Sequence, residues 1–203
     1  MKRIHFLSSI LLTAFIGIHL FNHFLSIFGI ETHLRFMEMA RMVYRNILVE
    51  SLLLLSVLVQ IISGSKLLSA KRKIAITTFQ KLQLWTGLYL AFFLLIHVSA
   101  VLVSRFVLEL DTNFYFGAAG INIFPFNLFF VPYYSLAIFS FFGHLAAIHQ
   151  QKTKQSILGL SSTQQAKLIL SVGILSILLI FHGLTNGFTG VDIPKAYQVL
   201  VGK

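Results

Sequence analysis

The sequence predicts an all-α integral membrane protein: a bundle of five transmembrane helices, N-terminus in the cytoplasm and C-terminus outside. Three observations predict it. Hydrophobic residues make up 57% of the 203 residues and charged residues 11%, against about 45–50% and about 25% in an ordinary soluble domain. The apolar residues gather into five runs, roughly 4–29, 47–67, 82–108, 126–148 and 166–184. Each is near or above the about 20 residues that a helix needs to cross about 30 Å of hydrocarbon. The basic residues, finally, fall unequally on alternate connections. This composition excludes a disordered chain and a conventional soluble enzyme. With no cysteine, disulfides, thiolate metal sites and cysteine nucleophiles are excluded as well.

Lys2 and Arg3 precede the first run. That run is too long, and lacks the small-residue cleavage site, for a removed signal peptide, so it reads as the first span. Helix is the expected state because a helix satisfies its own backbone polar groups in lipid. A β-barrel would show alternation over segments of about ten residues, and none is present. Lys66, Lys71, Arg72, Lys73 and Lys81 lie between or beside spans two and three, and Lys152, Lys154 and Lys167 between or beside spans four and five. With Lys2 and Arg3 these make ten basic residues on one side. Arg35, Arg41, Arg45, Arg105, Lys195 and Lys203 make six on the other, where all six acidic residues also fall. The positive-inside bias sets the orientation, and the net charge of +10 reads as topology rather than nucleic-acid binding. Trp85, Tyr133 and Tyr134 suit an interfacial aromatic belt. The connection 109–125, with Gly117 and Gly120, reads as a loop about as long as that between the first two spans. Glu50 is expected to pair with Arg45 at the outer end.

Eight histidines are many for so apolar a chain, and an ionisable residue inside a membrane is by default a functional-site hypothesis. His19, His97 and His144 lie well inside spans. His23 and His182 fall nearer the outer ends. His5 and His149 fall near the inner face and His33 in an outer connection; these three read as solvated or headgroup-level residues. Spans one and three run in the same direction, and His19 and His97 are each fifteen residues into their run. Both therefore sit about 22 Å from the inner end. Two imidazoles at one level can hold a planar iron porphyrin edge-on between two helices. Bis-axial ligation leaves no open position, which suits electron transfer rather than oxygen binding. His144 is deep in span four, and the polar residue at roughly matching depth on span two is Gln60. Two other readings stand beside this one. A buried histidine can simply hydrogen-bond a neighbouring helix. His19 and His23, spaced i, i+4 on one helix face, also suit a zinc or other metal site, with His182 as a further ligand, although the interior offers no supporting carboxylate.

These residues resemble the five-span, dihaem cytochrome b membrane subunit of succinate:quinone oxidoreductases and quinol:fumarate reductases. The likeness is carried by His19–Leu20 followed by Asn22–His23–Phe24, by Arg45 followed by Gln60 and Gly64, by Gln83–Leu84–Trp85–Thr86–Gly87 followed by His97–Val98, and by Phe141–Phe142–Gly143–His144. It covers roughly residues 5–185. The resemblance implies that His19 and His97 ligate one haem b, that His144 supplies one ligand of a second, and that Gln60 stands where the family places the remaining histidine. Glutamine is a poor iron ligand, so by this resemblance one haem is expected and a second is possible: the inner haem is absent, is held by His144 alone, or is reached through a different register of span two. The resemblance further implies a multi-pass subunit of the cytoplasmic membrane. That subunit would carry electrons between membrane quinone and flavoprotein and iron–sulfur subunits docked on the basic inner loop 66–81. Polar candidates near the inner ends for the quinone are Gln60, Ser63, Ser65, Gln80 and Gln83. The chain alone has no means of oxidising succinate. A one-haem cytochrome serving a different redox partner, and a haem-free transporter or assembly protein on the same scaffold, are the alternative readings.

Overall fold

The computed structural model describes residues 2–71 and 76–202. Its α-helices are α1 (Lys2–Leu25), α2 (Ile30–Tyr44), α3 (Ile47–Lys71), α4 (Thr78–Phe106), α5 (Phe114–Asn122), α6 (Asn127–Lys152) and α7 (Ser162–Leu184), with short 3-10 helices at Ser26–Phe28 and Lys195–Val201. Helices α1, α3, α4, α6 and α7 are long and apolar enough to cross a membrane, so the structure is an all-α bundle with five candidate membrane spans.

Two of these helices start four residues before their apolar runs, and each start has a local cause. The Thr77 side chain accepts from Gln80 N and the Gln80 side chain accepts from the Thr77 backbone; Ser161 and Gln164 do the same at α7. Such reciprocal capping boxes satisfy two otherwise orphaned donors each. The connection 109–125, expected as a loop, contains α5, whose N-cap Asn113 accepts from Tyr115 N at 3.0 Å. The connection between the first two spans is likewise helical. In α2 the buried His33 and Met37 share one face, while Glu31, Arg35 and Glu38 lie exposed on the other. Residues three and four apart share a helix face, so this segment is an amphipathic helix that a search for long apolar runs passes over.

The five long helices form a closed ring. Helix α1 packs on α3, α3 on α4, α4 on α6, α6 on α7, and α7 returns to α1. Among the described residues, diagonal pairs such as α1 with α4 and α3 with α6 make no backbone contact. One core cluster, Phe114, Ala118, Ile121, Ile138, Ile180, Phe181 and Leu184, seats α5 on α6 and α7. A second, Leu12, Leu53 and Val57, joins α1 to α3. Helix α2, helix α5 and the 3-10 helix Lys195–Val201 gather over one end of the ring. Lys66, Lys81, Lys152, Lys154 and Lys167 lie at the other. Arg72 and Lys73 are outside the described residues.

The cap is held by charge. Arg41 contacts the Asp111 carboxylate at 2.8 Å and Arg45 at 3.6 Å. Arg45 also donates to Thr112 Oγ1 at 3.1 Å, and the Tyr197 hydroxyl donates to the Asp111 carbonyl at 2.9 Å. Burial works to raise the Asp111 pKa, but the hydrogen bond and charge of Arg41, with Arg45 behind them, hold it below the ordinary carboxylate value. The expected Glu50–Arg45 pair is not formed. Glu50, in the first turn of α3, pairs with Arg105 in the last turn of α4, because the two antiparallel helices bring those turns side by side. Arg45 ends α2 and turns instead to the segment that leads into α5.

The ring closes where Gly183 meets the chain leaving α1. A Cβ at Gly183 would lie 2.1 Å from Ser26 Oγ and 2.7 Å from Ile27 N. Backbone cannot yield there as a flexible side chain can, and overpacking of this kind destabilises by about 1–3 kcal/mol. Gly183→Ala is expected to lower the melting temperature of the detergent-solubilised chain. Gly17→Ala, whose Cβ would meet nothing within 4 Å, is expected to leave it at least as stable. Equal melting of wild type and Gly183→Ala would contradict this closure.

Candidate functional site: the histidine-lined interior

His19 projects from α1 and His97 from α4. The two helices are diagonal members of the ring, yet the imidazoles meet across it with ring centroids 6.2 Å apart and planes inclined at 64°. Phe15 stacks on His19 at 6.0 Å, Phe93 stacks on His97 at 5.0 Å, and Tyr134 meets His97 edge-on at 6.3 Å. Helical spacing explains the flanking phenylalanines: Phe15 and Phe93 each lie one turn before their histidine. Two imidazoles bound through nitrogen to one metal at about 2 Å would have centroids about 6 Å apart. The observed separation matches that of ligands sharing one iron. The donor set of two imidazoles with aromatic flanks suits a bis-imidazole iron porphyrin.

A zinc-type site is not assembled. Among the described residues no group of three or more His, Asp or Glu side chains converges on a common point that could hold a metal ion. His182 is exposed and packs edge-on against Phe188 at 5.5 Å.

Sequence reasoning missed the continuation of the site toward the cap. His23 meets His19 edge-on at 4.6 Å, and His33 follows at 5.2 Å from His23. His33, read as a solvated residue, is 1% exposed. Its Nε2 lies 3.2 Å from the Asn22 side-chain amide, and Phe114 covers it edge-on at 5.3 Å. Among the described residues, Nδ1 of His23, Nδ1 of His33 and Oδ1 of Asn22 are buried and find no hydrogen-bond partner. Four imidazoles thus run in file from the middle of the ring to the underside of the cap. The amphipathic spacing of His33, Met37 and Arg41 was the sequence signal for it.

The other sequence-predicted residues fall differently. His144 and Gln60 each make contacts on other helices. His144 Nδ1 lies 3.2 Å from the Gln83 carbonyl and 3.3 Å from Thr86 Oγ1, both on α4. Gly87 permits this approach, since a Cβ there would stand 3.1 Å from His144 Cε1. Gln60 turns to α1, where its amide donates to the His5 carbonyl at 2.6 Å and to Ser8 Oγ at 2.8 Å. His5, read as solvated, is part-buried, with Nδ1 2.8 Å from Ser63 Oγ. His149 Nε2 is 2.7 Å from Gln165 Oε1. Of the polar quinone candidates, Ser65 bonds its own helix at the Ile61 carbonyl, Gln80 caps α4, and Gln83 accepts from Gln151 at 3.2 Å. Comparison of the chain with protein-family profiles, with curated proteins and with solved structures returned no match.

Burial, with the charges of His19 and Arg41 adding to it and a hydrogen bond to Asn22 opposing it, lowers the His33 pKa from 6.5 to about 4. His33 is therefore neutral in the closed cap and takes up a proton below pH 6.5 only when the cap opens. Its contribution to cap stability is fully present above pH 6.5 and is lost as pH falls toward 4; the full span is worth roughly 3 kcal/mol. Amide exchange in α2, corrected for its intrinsic pH dependence, is expected to accelerate from pH 7 to pH 4 in the wild type and much less in His33→Gln. Equal pH dependence in the two would contradict the role given to His33.

Proposed function

We propose that this chain is a haem b-containing membrane anchor that passes electrons between membrane quinone and a flavoprotein/iron–sulfur succinate dehydrogenase or fumarate reductase. The observation that carries this reading is the meeting of His19 and His97 across the ring at the separation of two ligands on one iron. Bound between them, a haem supplies reversible one-electron exchange with both axial positions filled. The chain's own part is to hold the two imidazoles on separate rigid helices and to surround them with aromatic side chains. Those side chains exclude water and set a low dielectric around the site. Gln60 takes no share in ligation in this reading, because its amide is engaged with α1.

The orientation belongs to the same proposal. The end bearing Lys66, Lys81, Lys152, Lys154 and Lys167 faces the cytoplasm and presents the positive surface on which the soluble subunits dock. The capped end, with Asp111 and the α2–α5 lid, faces outward. Quinone and lipid are the remaining partners, and the chain by itself does not act on succinate.

Replacing either histidine tests the reading. His19→Ala and His97→Ala are each expected to remove one haem equivalent per chain, counted by pyridine haemochrome on the purified protein, while Gln60→Leu leaves the count unchanged. Full haem content in both histidine variants would overturn the assignment.

A further inference from the structure

We infer that the turn joining α6 to α7 is a membrane-interface anchor that seats the Ile157 and Leu158 side chains among the headgroups of an anionic bilayer. The inference rests on the five spans and does not depend on the haem reading. In the turn, Ile157 N donates to the Leu160 carbonyl at 3.2 Å and Leu160 N donates to the Ile157 carbonyl at 2.9 Å. Leu158 and Gly159 between them have φ of +52° and +77°. A two-residue turn with both central residues at positive φ ordinarily takes Asn-Gly or Gly-Gly, and a bulky leucine there is an outlier. Leu158 is nevertheless 96% exposed and Ile157 52%, so the chain's own packing does not account for a leucine at this position. The turn is also braced from below. Gln165, buried in α7, donates through its amide to the Leu160 carbonyl at 2.7 Å and to the Gln155 carbonyl at 3.2 Å, one on each leg of the turn. Its Oε1 accepts from Nε2 of His149, near the end of α6, at 2.7 Å. Strained residues persist where the surrounding structure over-determines them, and a turn held in this way has little ordering left to lose when its side chains are buried.

Position and charge identify the surface that receives these side chains. Leu158 precedes Ser162, the first residue of α7, by four residues, so its backbone lies within about 14 Å of the start of a span. The headgroup layer lies directly outside the hydrocarbon that the spans cross. Lys152 at the end of α6 and Lys154 flank the turn, and Lys167 follows on α7; all three are exposed. No Asp or Glu occurs in the sequence between Asp111 and Asp192. Two aliphatic side chains among lysines, with no acid nearby in the chain, complement a leaflet that carries anionic lipid, whose attraction for basic residues falls off within a Debye length. The Lys152 ammonium lies over the Phe6 ring at 5.3 Å, in keeping with a lysine that lays its stem on apolar surface and holds its charge at headgroup level.

A fluorophore beside the turn tests the inference on the full chain in vesicles. The chain has no cysteine, so Ser156→Cys, at an exposed polar position, takes a single environment-sensitive label. In vesicles of phosphatidylcholine with phosphatidylglycerol, that label is expected to be quenched by phosphatidylcholine carrying a nitroxide near the headgroup end of one acyl chain, and to be quenched less when phosphatidylglycerol is left out. Adding Leu158→Asn removes the aliphatic group and keeps a residue that tolerates positive φ. It is expected to shift the label's emission to the red and to lose most of the quenching, with the melting temperature unchanged or raised. A label that is not quenched while Leu158 is present overturns the anchor and turns the leucine toward a soluble protein. Equal quenching in Leu158→Asn overturns it as well, and equal quenching without phosphatidylglycerol overturns the part given to the lysines. Should Leu158→Asn fail to fold, Leu158→Gly, which adopts this φ freely, takes its place with the same outcomes.

Discussion

The interior of this protein depends on a ring of five helices in which α1 and α4 stand on opposite sides and never touch through their backbones. Lipid gives apolar helices no hydrophobic reason to associate, so close packing and polar contacts set the arrangement. Here the ring closes through small residues: Gly183 against the chain leaving α1, and Gly87 and Gly143 between α4 and α6. Closure at the circumference leaves the middle to side chains. That is why His19 and His97, on helices whose apolar surfaces are otherwise largely outward, can meet each other rather than a neighbouring backbone. A tighter four-helix packing with α1 directly on α4 would bring the helix backbones where the imidazoles now stand.

The cap is the second consequence of the ring. Any ring has an end to seal, and burying His23 and His33 requires cover that lipid does not provide. Amphipathic α2, the small helix α5 and the C-terminal 3-10 helix supply it, and their mutual hold is electrostatic, centred on Asp111 with Arg41 and Arg45. Those charges sit at the edge of the low-dielectric region, where a paired ion is worth more than at a fully exposed surface. The cap also separates the two ends chemically: one is a mixed-charge lid, the other a rim of lysines.

The five spans were legible in the sequence because apolar runs of 19–27 residues have few other uses. Their starts at Thr78 and Ser162 were written in T-x-x-Q and S-x-x-Q, signals that a hydropathy reading does not weigh. The depth of His19 and His97 followed from helical rise alone. What depth cannot supply is azimuth: one residue turns a helix by about 100°, so a matching depth on span two does not tell that the Gln60 amide bonds α1. The short helices were hidden for a different reason. Neither α2 nor α5 has a run long enough to register, so His33 was placed in solvent, and Glu50 was paired with its neighbour in sequence rather than with Arg105, fifty-five residues away.

The most direct measurement is the electron paramagnetic resonance spectrum of the oxidised, purified chain expressed with ample haem. Two imidazoles from α1 and α4 on one iron predict a six-coordinate, low-spin ferric signal that resists carbon monoxide binding after reduction. A high-spin, carbon monoxide-reactive haem would mean that His19 and His97 do not share an iron. A chain that purifies without haem would mean that they meet for another purpose.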